Sequence, residues 1–540
     1  MKIAVEFAGQ TYHVPEGTTI SEVLGQIYVE EHRVLGATLN NHLVSLDTRI
    51  DGDATVVAVT PHMREGQEIL RRTAAHMLHY VCRKHYPEVR FTVGQSLMGG
   101  YFYEVKPTAD LEALAGRLTQ LMEELAEADL PFNRRRISVE AVGRHLEDPE
   151  GYKAGLLRAW AAPVVYVIGL DGFSDIQYGP YAPSTSHCRG CRVVAFPPGL
   201  ILHFPEQVVT SPAQGSTHLF QAYREARGWN KLIGVASVGD LNAATLEDRV
   251  GDVIRIAEGL HEKKIASIAD QVAAQPETRL VCIAGPSSSG KTTFVRRLAV
   301  QLQVNGLRPI LIGMDDYYRG RAETPRDEHG DYDFEALEAL DLALLERHLE
   351  QLVAGEEVSL PRFDFALGER LDTGKPVRLG SKDVLVMEGI HGLNPSIAPR
   401  VPRFRVFISA LTQLIIDEHN RIFTSDARLL RRLVRDRRYR GTSAADTIAR
   451  WPKVRRGEER WIFPYQEQAD AIFNSTLVYE AAVLKPFAWR FLLEVPRSHP
   501  SRVRAYELLR FLDLFVPVFP DSVPANSVLR EFIGGSGFDY

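Results

Sequence analysis

Residues 285–293 read GPSSSGKTT. Six of the nine are Gly, Ser or Pro, a composition that suits either a flexible linker or a loop that holds phosphate. The flanks decide between the two. Upstream, RLVCIAG (279–285) is a β-branched apolar run of the kind that forms a buried strand. Downstream, TTFVRRLAVQLQVNG (292–306) puts Phe294, Val295, Leu298, Ala299 and Leu302 on one helical face and stops at Asn305-Gly306. A linker does not sit between two core-forming segments. The spacing G-x-x-x-x-G-K-T, Gly285 to Thr292, between strand and helix is that of a phosphate-binding loop.

Its chemistry comes from the residue types. The glycines let backbone N–H groups point at phosphate, and the helix N-terminus adds its dipole. Lys291 supplies a point charge, and the Thr292 hydroxyl is placed for Mg²⁺. ATP phosphates are therefore expected on Gly285, Ser287, Ser288, Ser289, Gly290, Lys291, Thr292 and Thr293. A GTPase would need N-K-x-D downstream, and NKLIG (230–234) lies upstream without the Asp. A transporter-type ATPase would need an L-S-G-G-Q-like segment, which the sequence lacks.

The segments C-terminal to the loop read as a small-molecule kinase. PILIGM (309–314) is a strand that ends at Asp315 and Asp316, and doubly wound sheets bind ligands at such carboxyl ends. DYDFEALEALDLALLERHLEQL (331–352) starts acidic and continues as an amphipathic helix. DVLVMEGIHGL (383–393) predicts a buried strand beside the phosphate loop, ending at Glu388, where a carboxylate holds Mg²⁺ directly or through water. Between Arg428 and Arg460 basic residues outnumber acids. Arg428, Arg431, Arg432 and Arg435 recur three or four apart on one helical face. That array suits a phosphate lid, and it would also suit RNA.

The remaining chain bounds the setting. At roughly 150 residues per domain, 540 residues predict three or four domains. A net charge of -6 gives no global pull toward nucleic acid or acidic membranes, so any basic site is local. Four cysteines do not make a disulfide framework. The N-terminus alternates rather than forming an apolar signal, and no run of 18 apolar residues occurs. No membrane span is expected, and the location expected is cytoplasmic.

KIAVEF (2–7) and QTYHV (10–14) predict a hairpin about Ala8-Gly9. Thr18 or Thr19 then starts a helix with Glu22 in capping-box position, and strands come next near Leu43–Val44 and at ATVVAV (54–59). Residues 61–205 read as α+β, and 206–278 as a helical connector that packs on a neighbour. In LEDRVGDVIRIAEGLHEKKIASIADQV (246–272) its apolar positions are Leu246, Val250, Val253, Ile254, Ala257 and Leu260. HCRGC (187–191) offers His187, Cys188 and Cys191. Without a second pair it reads first as two unpaired cysteines in a turn, and second as a metal or redox site.

Three resemblances organise these segments. Residues 1–60 resemble a TGS domain, the small β-grasp module of threonyl-tRNA synthetases and some GTPases. RRTAAHMLHYVCRKHYPEVRF (71–91), GGYFYEV (99–105), DIQYGPYAPST (175–185) and FPPGLILHFP (196–205) resemble, in order, the second additional domain of threonyl- and alanyl-tRNA synthetases, which hydrolyses mischarged tRNA. That family carries H-x-x-x-H and C-x-x-x-H, and the matching positions here are Arg72, His76, Gln177 and Tyr181. Only His76 survives, and Arg cannot ligate a metal, so the resemblance implies a fold kept without its chemistry.

GPSSSGKTT, MDDYYR, DYDFEALEALD, PRFDF, VMEGIHGL and RRLVRDRRYRG resemble, in order, the motifs of the uridine kinase and phosphoribulokinase family over roughly 279–480. The resemblance implies an ATP- and Mg²⁺-dependent kinase acting on the 5′-hydroxyl of a ribonucleoside. It implies Asp315 as general base, Asp333 on the ribose hydroxyls, Glu388 on Mg²⁺, and Arg432, Arg435 and Arg440 as the lid. Arg370 matches a substrate residue, whereas Phe363 and Gly368 replace a Tyr and a His that read the pyrimidine. Arg450 and Thr442 replace a lid Gln and an Arg. A homo-oligomer is expected. The alternative is an RNA- or ribosome-associated ATP-binding regulator that docks RNA through its N-terminal domains.

The expected architecture is multidomain, α/β and α+β. A β-grasp domain (1–60), an α+β domain (61–205) and a helical connector (206–278) precede a kinase domain (279–490) whose parallel sheet is flanked by helices. A C-terminal extension (491–540) completes the chain.

Overall fold

The computed structural model describes every residue except 26, 27, 30, 31, 108, 109, 206–216, 329, 365, 366, 372, 373, 375 and 540. Residues 206–216 of the expected connector therefore lie outside the described residues, as do parts of 361–375.

Residues 1–60 form a mixed five-stranded sheet. Its order is Gln10–Pro15, Lys2–Phe7, Ala54–Val59, Gly36–Leu39, His42–Val44, and the strands Lys2–Phe7 and Ala54–Val59 run parallel. The hairpin turns at Ala8-Gly9, as the alternation predicts. Thr19 caps the first helix, and the Glu22 side chain returns the bond in a full capping box.

Residues 64–203 add a four-stranded antiparallel sheet (Arg192–Phe196, Gly199–His203, Gly100–Lys106, Arg90–Leu97) and a three-stranded one (Asn133–Ser138, Val164–Leu170, Phe173–Ile176). The long helices Arg64–His85 and Leu111–Glu127 cover the larger sheet with a shared apolar core. Cys188 and Cys191 are buried in that core, in contact with each other and not joined as a disulfide. The Cys191 contact and burial push the Cys188 thiol well up.

Residues 280–474 hold a parallel five-stranded sheet in the order Arg308–Gly313, Asp383–Glu388, Leu280–Ala284, Arg403–Ser409, Ala471–Asn474. The strand before the phosphate loop is central and fully buried, and the helix after the loop, Lys291–Val304, packs Phe294, Val295, Leu298 and Leu302 beneath it. Glu388 lies in register with Ile283 and Gly313, so the loop, Glu388 and Asp315 meet at one edge of the sheet.

Several boundaries differ from expectation. The acidic stretch 331–341 is not helical beyond one 3₁₀ turn at Leu337–Ala339. The helix begins at Leu342, because Asp341 turns its side chain to the Leu344 N–H as a cap. Leu246 ends its own helix, Val238–Leu246, and is exposed, whereas Val253, Ile254 and Ala257 on the next helix, Val250–Ala273, are buried. The boundary placed at 490 falls inside helix Glu480–Leu493. Connector, lid helix (Thr424–Tyr439) and C-terminal helices share a single core that runs from Val238 through Leu433 to Phe532, so they are parts of one helical body. Among the described residues no helix is long and apolar enough to cross a membrane.

Candidate active site

Two glycines give the loop its shape. A Cβ on Gly285 would stand 2.1 Å from the Ile408 carbonyl oxygen, too close for any side chain. Gly290, the residue before the helix, has φ +85° and faces Val528 of the C-terminal segment. Ser288 also takes a left-handed φ of +58°. The Ser288 and Ser289 hydroxyls are buried and have no hydrogen-bond partner. Orphaned donors in a glycine-shaped loop at a helix N-terminus fit a polyphosphate.

Lys291 opens the helix and is half-buried, so it is less solvent-facing than a loop lysine. Its Nζ donates to the Gly285 and Pro286 carbonyls at 2.7 and 3.2 Å. Burial lowers its pKa, opposed by Glu388 and Asp315. The Thr292 hydroxyl lies 3.4 Å from Glu388 Oε2. Glu388 is pushed up to about 7 by burial, with Lys291 opposing and Glu531 and Asp315 adding to the rise. A carboxylate short of positive charge beside a threonine hydroxyl fits a magnesium ion, which Thr292 and Glu388 would hold. Thr293 departs from expectation. It is fully buried, and its hydroxyl donates to Glu531 at 2.9 Å, so it serves the C-terminal segment.

Asp315 comes just after the strand Arg308–Gly313 and stays accessible, yet the cleft around it removes enough water to raise its carboxyl, with Lys291 opposing and Asp316 reinforcing. Asp316 is different: it accepts from the Phe363 N–H at 3.1 Å and fixes the hairpin Arg362–Asp364/Glu369–Leu371. Phe363 itself is only 5% exposed and meets Tyr318 edge-on in the apolar core, so burial argues against an open stacking face for a base. Arg370 pairs with Asp341 at 3.0 Å. Asp333 is half-buried, and one of its oxygens already accepts the Glu335 N–H at 3.1 Å.

The arginines of the lid helix divide. Arg428 and Arg431 are buried, 1% and 0% exposed, and ion-paired to Glu458 and Glu480. They form neither a lid surface nor an RNA surface. Spacing correctly grouped them on a face, but that face turns inward. Arg432 does reach the loop, donating to Ser287 Oγ at 2.8 Å. Arg432, Arg435 and Arg440 all pair with one buried carboxylate, Asp436, at 3.2, 3.0 and 3.7 Å. Asp436 thus gathers Arg432, Arg435 and Arg440, and Arg432 among them contacts the loop.

Three acidic residues that spacing did not reveal also belong here. Glu458 accepts the Ser287 N–H at 3.0 Å. Glu531 adds its charge beside Lys291 and Glu388. Glu335 is pushed up to about 7 by burial and by Glu458, with Arg432 opposing.

Residues 280–481 match the Phosphoribulokinase / Uridine kinase family model. The N-terminal region resembles threonyl-tRNA ligases. The chain is 35% identical over 162 residues to threonine–tRNA ligase of Burkholderia vietnamiensis, covering 29% of this chain and 25% of that protein. It is 28% identical over 194 residues to threonine–tRNA ligase of Pelobacter propionicus, covering 35% and 30%. The chain therefore spans less than a third of the length of these curated relatives. Among solved structures, a "Possible Uridine Kinase" from Bacillus stearothermophilus aligns at 20% identity over 38% of this chain and 98% of that chain, with a TM-score of 0.25.

Proposed function

We propose that this P-loop kinase domain transfers the γ-phosphoryl of ATP to the 5′-hydroxyl of a ribonucleoside. The observation that carries the reading is the convergence of Lys291, Thr292, Glu388 and Asp315 at one sheet edge. Phosphoryl transfer needs positioning and positive charge more than covalent chemistry. The loop N–H groups and Lys291 orient the phosphates. Arg432, held by Asp436 and already touching Ser287, brings positive charge to the transferring group. A magnesium ion on Thr292 and Glu388 would neutralise phosphate charge.

Asp315 has the traits of the group that takes the acceptor hydroxyl proton. It is reachable, raised toward neutrality, and without an ion pair among the described residues. Asp333 keeps one oxygen for a ribose hydroxyl. The synthetase-like half is the regulatory or assembling partner in this scheme.

The test is an ATP-consumption screen over common ribonucleosides, 2′-deoxyribonucleosides and sugar phosphates, with Lys291→Ala as blank. A ribonucleoside should stimulate turnover most. Stimulation by a sugar phosphate alone would replace the acceptor, and stimulation by RNA alone would favour the regulatory reading.

A further inference from the structure

A second polar cluster lies far from the phosphate loop, where the N-terminal half meets the kinase domain. The segment between the strand Arg403–Ser409 and the lid helix runs into the synthetase-like region. The Glu418 carbonyl accepts the Val93 N–H at 2.7 Å, and Arg421 donates to Ser96 Oγ at 2.6 Å. This stacks the His419 ring on His79 and sets it edge-on to His76. The old quartet is not rebuilt, since Arg72 is turned to the Pro180 carbonyl.

From these positions we infer a binding site for a first-row transition-metal dication, zinc foremost, made by His79, Asp175 and His419. Their ligand atoms all lie within 4.8 Å of one another, and all three residues are buried. Two imidazoles and a carboxylate are a donor set of that class. His79 Nε2 and both nitrogens of His76 have no hydrogen-bond partner, although both side chains are buried. An unpaired imidazole nitrogen in a buried place calls for a partner.

The outer contacts orient the ligands. Asp175 Oδ1 accepts the Ile176 N–H at 2.7 Å, while Oδ2 faces His419 Nε2 at 3.6 Å. His419 Nδ1 lies 3.4 Å from Asp417 Oδ1, and both ring nitrogens of His419 lack a hydrogen-bond partner.

Charge points the same way. Asp175, Asp417 and Glu418 are buried together against one permanent cation, Lys153. One cation does not match three carboxylates, and burial raises Asp175 and Glu418, so a dication placed there would favour their ionised forms. Lys153 bonds Asp175 at 3.0 Å, and it keeps Glu418 at 3.3 Å and the Glu147 carbonyl at 3.0 Å when Asp175 turns to a metal.

The experiment uses the full chain, freed of any polyhistidine tag and stripped with a chelator. Titration with Co²⁺ and Zn²⁺ should load one equivalent, give a Co²⁺ d–d absorption band, and raise the melting temperature. His79→Gln and His419→Gln should each weaken loading at least ~10-fold. Should either variant fail to fold, the Co²⁺ band and the stoichiometry of the unaltered chain decide alone. No uptake by the unaltered chain, or equal uptake by both folded variants, would overturn the site and leave Lys153 as the sole counter-ion.

Discussion

Arg432 of the lid helix donates to Ser287 Oγ of the phosphate loop at 2.8 Å, while Arg428 and Arg431 of the same helix face the core. The helix Thr424–Tyr439 thus touches the loop through one arginine and the core through two others.

These contacts should separate in variants. Arg428→Ala strips Glu458 of its buried guanidinium, leaving it Arg455 and the Ser287 N–H, and should cost about 1–3 kcal/mol of stability. Arg432→Ala should change stability little and lower turnover, because its partner Asp436 retains Arg435 and Arg440. Denaturant melts alongside kcat measure both. A stable Arg428→Ala protein with normal melting would show the buried pair to be misassigned.

Lys291→Ala should lower ATP turnover by roughly 10²–10³ with the fold kept. Among the described residues Lys291 Nζ bonds loop carbonyls alone, so its loss chiefly removes charge from the phosphate site. Circular dichroism and steady-state kinetics are sufficient, and normal turnover is the outcome that ends the phosphate-loop reading.

Asp315→Asn should spare ATP affinity and slow transfer by roughly 10²–10⁴, the range for a lost general base. A collapse of ATP affinity would make Asp315 a metal ligand, and the proton acceptor would then be sought at Glu335, which also sits near neutrality.

Glu388 gives a pH dependence with a definite sign. Its folded pKa, about 7, lies above the ordinary value, so the folded chain holds a proton that the unfolded chain has released. Stability from this group is full below about pH 4.5 and is lost as pH rises to about 7. The loss is on the order of 1–3 kcal/mol after allowing for water in the cleft. Magnesium alone should therefore raise the melting temperature more at pH 8 than at pH 5.5. Glu388→Gln should flatten both trends. A magnesium effect equal at the two pH values would place the ion elsewhere.

The phosphate site was legible where its parts are close in sequence. A buried strand, a fixed glycine–lysine spacing and an amphipathic helix define Gly285 to Thr292 without reference to distant residues. Glu388 was legible because an apolar strand announces its own end. Glu458 and Glu531 were not, since each reaches the loop across 171 or 238 residues and local pattern carries no trace of such pairing. Helical spacing grouped Arg428 with Arg431, yet it could not say that Glu458 and Glu480 wait on the inner side. Phe363 illustrates the same limit: its place in a motif was visible, and its burial against Tyr318 was not.

The bond from Arg421 to Ser96 spans 325 residues and sets a schedule for synthesis. At about 5–20 residues per second, the sheet containing Ser96 leaves the ribosome tens of seconds before the segment that fills it. Until then His76, His79, Lys153 and Asp175 lack the segment that buries them in the finished fold. Burying them is a late event in the birth of the chain. A nascent chain halted before residue 417 would expose those side chains to chaperones and proteases, so translation pauses within the kinase segment should be felt as damage in the half already made.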